Sequence, residues 1–98
     1  MTMTTSEDLK ELVETLRDLG LTNYEARVYI RLFGVSGATA TEIHELSGVP
    51  RASVYSALDH LIRKNLVSIS HTTPRRFRAI SLTEGINHLL ARIQADAG

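Results

Sequence analysis

Cysteine and tryptophan are missing from this chain, prolines number two and glycines six, and no run of about 18 apolar residues occurs anywhere. Each shortage excludes something. Without cysteine there is no disulfide framework, no thiolate metal site and no thiol nucleophile, so stability must come from packing. Prolines and glycines interrupt the pattern too rarely for a disordered chain. The lack of a long apolar run excludes a membrane-spanning helix. The polar, acidic start from Met1 to Asp8 lacks the apolar region of a secretory signal. The expectation is a soluble cytoplasmic protein with no membrane partner.

Catalytic patterns are equally scarce. There is no G-x-S-x-G, no phosphate-cradling glycine loop and no paired-carboxylate constellation, and a small helical domain offers little cleft. Four histidines invite a metal site, since Glu42, His44 and Glu45 cluster and His71 follows later. Adjacent residues on a helix point about 100° apart, and no H-E-x-x-H spacing is present. No enzyme activity, metal or cofactor is therefore expected. Tyr24 and Tyr29, at helical spacing, read as core residues with satisfied hydroxyls.

What is present fits one ordinary domain spanning residues 1–98: 43% apolar and 22% charged residues, in a length that hides roughly 65% of the unfolded surface. Net charge is zero but polarised. Residues 1–50 hold four basic and eight acidic side chains, whereas residues 51–98 hold seven and three. Between Arg51 and Arg78 stand six basic residues and one acid, Asp59. One face can thus carry a local positive field, although arginines that merely solvate a surface fit the count equally well.

Leu9, Leu12, Val13, Leu16 and Leu19 lie on one helical stripe that Gly20 ends as a left-handed cap, so residues 1–20 read as an N-terminal helix. Thr22 with Glu25 forms a capping box, bracketed by Leu21 and Ala26, for a second helix from about Asn23 to Phe33. Thr39 with Glu42 opens a short third helix whose apolar face is Ile43 and Leu46, stopped by Ser47-Gly48. Val54, Leu58, Leu61 and Ile62 mark the buried side of a fourth helix ending near Lys64. So short a link between the third and fourth forces a steep crossing, placing a helix-turn-helix at residues 39–64. The period then changes to two. Val67 with Ile69 and Phe77 with Ala79 read as a β-hairpin wing over residues 66–80. Ser81 with Glu84 starts a fifth helix over residues 81–98, with Ile86, Leu89, Leu90 and Ile93 on one stripe. The fold class expected is mainly α with a small β-hairpin wing, a winged helix-turn-helix of five helices.

This order suits a DNA duplex. The fourth helix begins with Arg51, Ala52, Ser53, Tyr55 and Ser56, small or hydrogen-bonding residues fit for a major groove about 12 Å wide. Thr39 and Pro50, at the starts of the two crossed helices, complete the candidate contacts there. Arg51 can pair with guanine or hold a phosphate. In the wing, Arg76 and Arg78 project opposite to Phe77. Together with Arg75 they can lie along phosphates or enter a minor groove, or else protect an edge strand by charge.

The run Leu19-Gly20-Leu21-Thr22-Asn23-Tyr24-Glu25-Ala26-Arg27-Val28-Tyr29 resembles the opening signature of TrmB-type archaeal regulators. Ala40-Thr41-Glu42-Ile43, Ser47-Gly48-Val49-Pro50-Arg51, Val54-Tyr55 and Pro74-Arg75-Arg76-Phe77-Arg78-Ala79 follow in that family's order, so the resemblance runs from about Leu9 to Leu90. It implies sequence-specific promoter binding, dimerisation through the outer helices and an archaeal cytoplasmic setting. Longer members carry a C-terminal sugar-binding domain that these 98 residues do not supply, so sugar control is not expected to transfer. His44 also departs from the pattern, since such domains keep alanine there, and an imidazole must rotate outward or widen the helix crossing.

The stripes Leu9, Leu12, Leu16 and Ile86, Leu89, Leu90, Ile93 offer more apolar surface than one small core needs, which points to a homodimer with two reading helices about 34–36 Å apart. The competing reading is a winged-helix protein-interaction module of a transcription-initiation or chromosome-organising assembly, a role the same fold permits.

Overall fold

The computed structural model describes residues 6–97. The outermost parts of the expected terminal segments, residues 1–5 and 98, lie outside them. Five helices and one hairpin follow in order: α1 (Ser6–Asp18), α2 (Asn23–Leu32), α3 (Ala40–Ser47), α4 (Arg51–Arg63), β1 (Val67–Ile69), β2 (Phe77–Ala79) and α5 (Leu82–Ala97).

Local chemistry starts the helices where expected. Thr22 accepts from the Glu25 N–H at 3.1 Å while the Glu25 carboxylate accepts from the Thr22 N–H at 3.2 Å. Thr39 and Glu42 repeat this reciprocal pair at 3.2 and 2.8 Å. Each satisfies two otherwise orphaned peptide donors. At α5 only one half of the motif forms, the Glu84 N–H donating to Ser81 Oγ at 3.3 Å.

The core lies where all five helices and the hairpin meet, with Ile43 of α3 and Leu89 of α5 among its members. Leu16, Val28, Tyr29, Leu32, Leu58 and Leu61 are fully or almost fully buried in it, each aliphatic contributing about 1.5–3 kcal/mol by burial. Val67 pairs with Ala79, Ser68 with Arg78 and Ile69 with Phe77 in the antiparallel hairpin. A third segment joins it: Ala38 and Phe77 exchange backbone hydrogen bonds at 3.0 and 2.8 Å. This fastens the wing to the linker before α3.

Four placements differ from the sequence reading. Leu16 and Leu89 fill the chain's own core, 0% and 1% exposed, and so supply no surface to a second copy. Leu46 is exposed, because α3 buries Ala40, Ile43 and Ser47 instead and the small serine lets the crossed helices approach. Tyr24 lies at the surface beneath the Arg27 guanidinium, 5.7 Å from the ring centre, whereas Tyr29 is buried with its hydroxyl donating to the Ile80 carbonyl. His44 does not turn outward but stays half-buried against the turn. Its Nδ1 lies 2.7 Å from the Val49 carbonyl oxygen, which fixes the proton on Nδ1 because a carbonyl can only accept.

Candidate nucleic-acid interface

The turn between α3 and α4 aims the reading helix, and side chains hold it from several directions. Gly48 adopts φ +70°, a left-handed cap that costs glycine nothing. Ser47 Oγ donates to the Ile43 carbonyl at 2.6 Å and accepts from the Val49 N–H at 3.2 Å. Arg27, reaching from α2, donates to the Ser47 carbonyl at 2.9 Å. The sequence reading missed Arg27, since nothing local marks a residue twenty positions away as a cap for α3.

Beyond this turn, Pro50 begins α4 without a side-chain cap, its carbonyl accepting from Ser53 and Val54 at 2.9 and 3.0 Å. Arg51, Ala52, Tyr55 and Ser56 are exposed and Ser53 is half-buried. The first turn carries no acid; Asp59, two turns on, pairs with Arg63 at 3.2 Å. Thr39 is half-buried and its hydroxyl serves the α3 cap.

The hairpin's two sides divide its arginines. Phe77 points inward, and Arg75, two residues earlier, borders a groove of about 450 Å³ beside Tyr55, Leu58 and Ile62 of α4 and Thr39 at the start of α3. Arg76 and Arg78 stand on the opposite side, bordering a shallow hollow with the hydroxyl residues Ser36, Ser68, Ser70 and Thr72. The expected opposition of these arginines to Phe77 is therefore present. Arg76 also has partners the sequence did not reveal: its Nη1 lies 3.5 Å from Glu42 Oε1 and 3.4 Å from the Gly37 carbonyl. The backbone and side-chain hydrogen bonds between Thr39 and Glu42, with the nearby Arg76 charge, hold the Glu42 carboxyl below its ordinary range.

On the far side of the molecule, Leu9, Leu12 and Ile86 are half-buried, while Leu90 and Ile93 are 42% and 41% exposed. Among the described residues no three histidines or carboxylates gather as a metal site, and no helix is long and apolar enough to cross a membrane.

Comparison with known proteins gives this geometry its context. Residues 16–83 match the family model of the sugar-specific transcriptional regulator TrmB. The chain is 35% identical over 72 residues to the HTH-type sugar sensing transcriptional regulator TrmBL1 of Pyrococcus furiosus, covering 74% of this chain and 21% of that protein. It is 33% identical over 67 residues to the uncharacterized protein YrhO of Bacillus subtilis, covering 67% of this chain and 24% of that one. The chain thus spans between a fifth and a quarter of these relatives' length. Among solved structures, the archaeal chromatin protein TrmBL2 superposes with a TM-score of 0.83 at 23% identity, over 91% of this chain and 36% of that one. A MarR family regulator from Silicibacter pomeroyi superposes at 0.66 and 19% identity, over 89% of this chain and 62% of that one. These neighbours share the winged helix-turn-helix fold, and the family match covers most of the described core. The chain belongs to the TrmB family of transcriptional regulators, as a winged helix-turn-helix DNA-binding domain.

Proposed function

We propose that this chain acts in the cytoplasm as a sequence-specific reader of double-stranded DNA, with α4 in the major groove, the wing on the backbone or in the adjacent minor groove, and two copies on one site. The observation that carries the reading is the first two turns of α4. They present exposed Arg51, Ala52, Tyr55 and Ser56, with no carboxylate before Asp59 to repel phosphate. Small side chains let the helix backbone approach the base edges, and a guanidinium at the tip can reach a guanine in two-pronged fashion. The wing arginines stand where charge without base recognition is useful.

Arg51→Ala is expected to weaken binding to the preferred duplex by roughly 1–3 kcal/mol and to relax preference at one base position. Arg78→Ala is expected to weaken all duplexes alike and to make the salt slope shallower by about one unit, the loss of one phosphate contact. Binding isotherms on matched and scrambled duplexes at several salt concentrations test both. Equal loss on every duplex for Arg51→Ala would reverse the assignment, and a flat salt response would remove the electrostatic reading altogether.

The two-copy part rests on α5. Among residues 82–95 of α5, Gly85 and Leu89 alone are buried, and every residue from 90 to 95 is exposed, Leu90 and Ile93 included. Covering the exposed Leu90 and Ile93 removes apolar surface from water, so this end of α5 gains from a partner. Leu90→Glu combined with Ile93→Glu is expected to give monomers of unchanged helicity and reduced affinity for a palindromic site. Sedimentation of the unaltered protein as a monomer at tens of micromolar would remove the dimer.

A further inference from the structure

We propose that Glu42 is an internal stand-in for phosphate: in the free protein its carboxylate holds Arg76 of the wing, and duplex binding exchanges that carboxylate for a backbone phosphate. The inference rests on the reading of the wing as a backbone contact.

The geometry supports exchange rather than a permanent tie. Arg76 Nη1 is 3.5 Å from Glu42 Oε1 and 3.4 Å from the Gly37 carbonyl, both long for charge-assisted contacts. The two side chains are 49% and 54% exposed, so an incoming anion meets the guanidinium without any movement of the wing. Glu42 Oε1 also accepts from the Thr39 N–H at 2.8 Å, a bond that remains when Arg76 leaves. Release of the arginine therefore does not open the start of α3. Arg78 stands two residues along on the same outer face of the hairpin, and among the described residues no carboxylate pairs with it. Two neighbouring guanidiniums thus differ in readiness: Arg78 meets a phosphate at once, and Arg76 only by giving up Glu42. Glu42 in this way lowers affinity and limits how strongly the wing holds duplexes in general.

The test is a double-mutant cycle with the full chain and a labelled duplex, using Glu42→Gln, Arg76→Ala and both together. Glutamine keeps the side-chain acceptor of the capping box, so α3 is preserved. Glu42→Gln is expected to tighten binding roughly two- to five-fold, the range of an exposed ion pair, and to leave affinity unchanged when Arg76 is already alanine. In the free protein, the Glu42 carboxyl followed by NMR should titrate at higher pH in Arg76→Ala than in the unaltered chain. Equal tightening in both backgrounds would overturn the proposal in favour of direct repulsion between Glu42 and DNA. Weaker binding by Glu42→Gln would overturn it in favour of Glu42 as a positioning residue. An unmoved titration shows that the pair does not hold Arg76 and overturns it as well. Failure of the unaltered chain to bind any duplex would instead remove the DNA reading on which this one stands.

Discussion

Gly85→Ala is expected to lower the unfolding free energy by about 3 kcal/mol, the upper part of the range for overpacking a filled core. Intrinsic helix propensity points the other way, since alanine in a helix interior is favoured over glycine by about 1 kcal/mol. Packing decides the sign. A methyl group at position 85 would land on the Tyr29 hydroxyl and press Leu66 Cδ2 at 3.2 Å. Tyr29 has nowhere to go: it is 0% exposed, its ring packs against Phe33 with centroids 4.9 Å apart, and its hydroxyl donates to the Ile80 carbonyl. With Leu89, this contact is what docks α5 on the core. At about 4–8 °C per kcal/mol for a domain of this size, thermal unfolding should fall by roughly 12–24 °C. Tyr29→Phe in the same chain should restore part of the loss by removing the clashing oxygen. A Gly85→Ala protein as stable as the parent would show that the close approach does not exist.

Glu25→Gln is expected to cost about 2 kcal/mol at neutral pH, the scale of a charge-assisted hydrogen bond. Glu25 is 3% exposed, and its two oxygens face Lys64 Nζ and His60 Nδ1, each at 2.9 Å, from the far end of α4. Glutamine keeps the α2 capping box and the shape but loses the charge. Burial raises the Glu25 carboxyl pKa, yet the hydrogen bonds from Lys64, the Thr22 N–H and His60 together outweigh it, and the group titrates below its ordinary 4.5. Because the folded value lies below the unfolded one, the unfolded chain binds the extra proton first on acidification. The stabilisation is therefore complete above the unfolded pKa and is lost as pH falls below about 4.5 through the folded value. Denaturation across pH 2–7 should show the difference between parent and Glu25→Gln shrinking in that acidic window. Glu42 titrates in the same direction and is common to both proteins, so it cancels. A difference that does not change with pH would exclude Glu25 as the linked group.

Recognition of the fold from the sequence rested on rules that act over a few residues. The boxes Thr22/Glu25 and Thr39/Glu42 form where their spacing places them, and the change of period after Asn65 marks the hairpin because side chains alternate along a strand. The candidate interface was legible in the same way. Arg51 stands at the head of α4, and Arg76 and Arg78 oppose Phe77, since both follow from helix and strand geometry alone. Spacing failed where two faces of one element compete. In α3 both Leu46 and Ser47 fit an apolar or small stripe, and the nearness of α4 rather than hydrophobicity selected the serine for the interior. For α1 and α5 a stripe of leucines states only that something covers it. Leu16 and Leu89 face their own core, while Leu90 and Ile93 do not.

Taken alone, the amino-acid sequence determined the number, order and starts of the helices, the place of the turn and the inward side of the wing. All depend on backbone hydrogen bonding and periodicity within a few residues. Only the tertiary structure decided the partners that meet across long separations. Ala38 pairs with Phe77, Arg27 caps the end of α3, Glu25 lies buried against Lys64 and His60, Gly85 admits Tyr29, and Glu42 holds Arg76. The acidic residue that reads locally as a helix cap can be a buried ion-pair partner or a guard on a wing arginine. Which one it becomes is set by the side chains that the fold brings near it, Lys64 and His60 at 2.9 Å from Glu25 and Arg76 at 3.5 Å from Glu42.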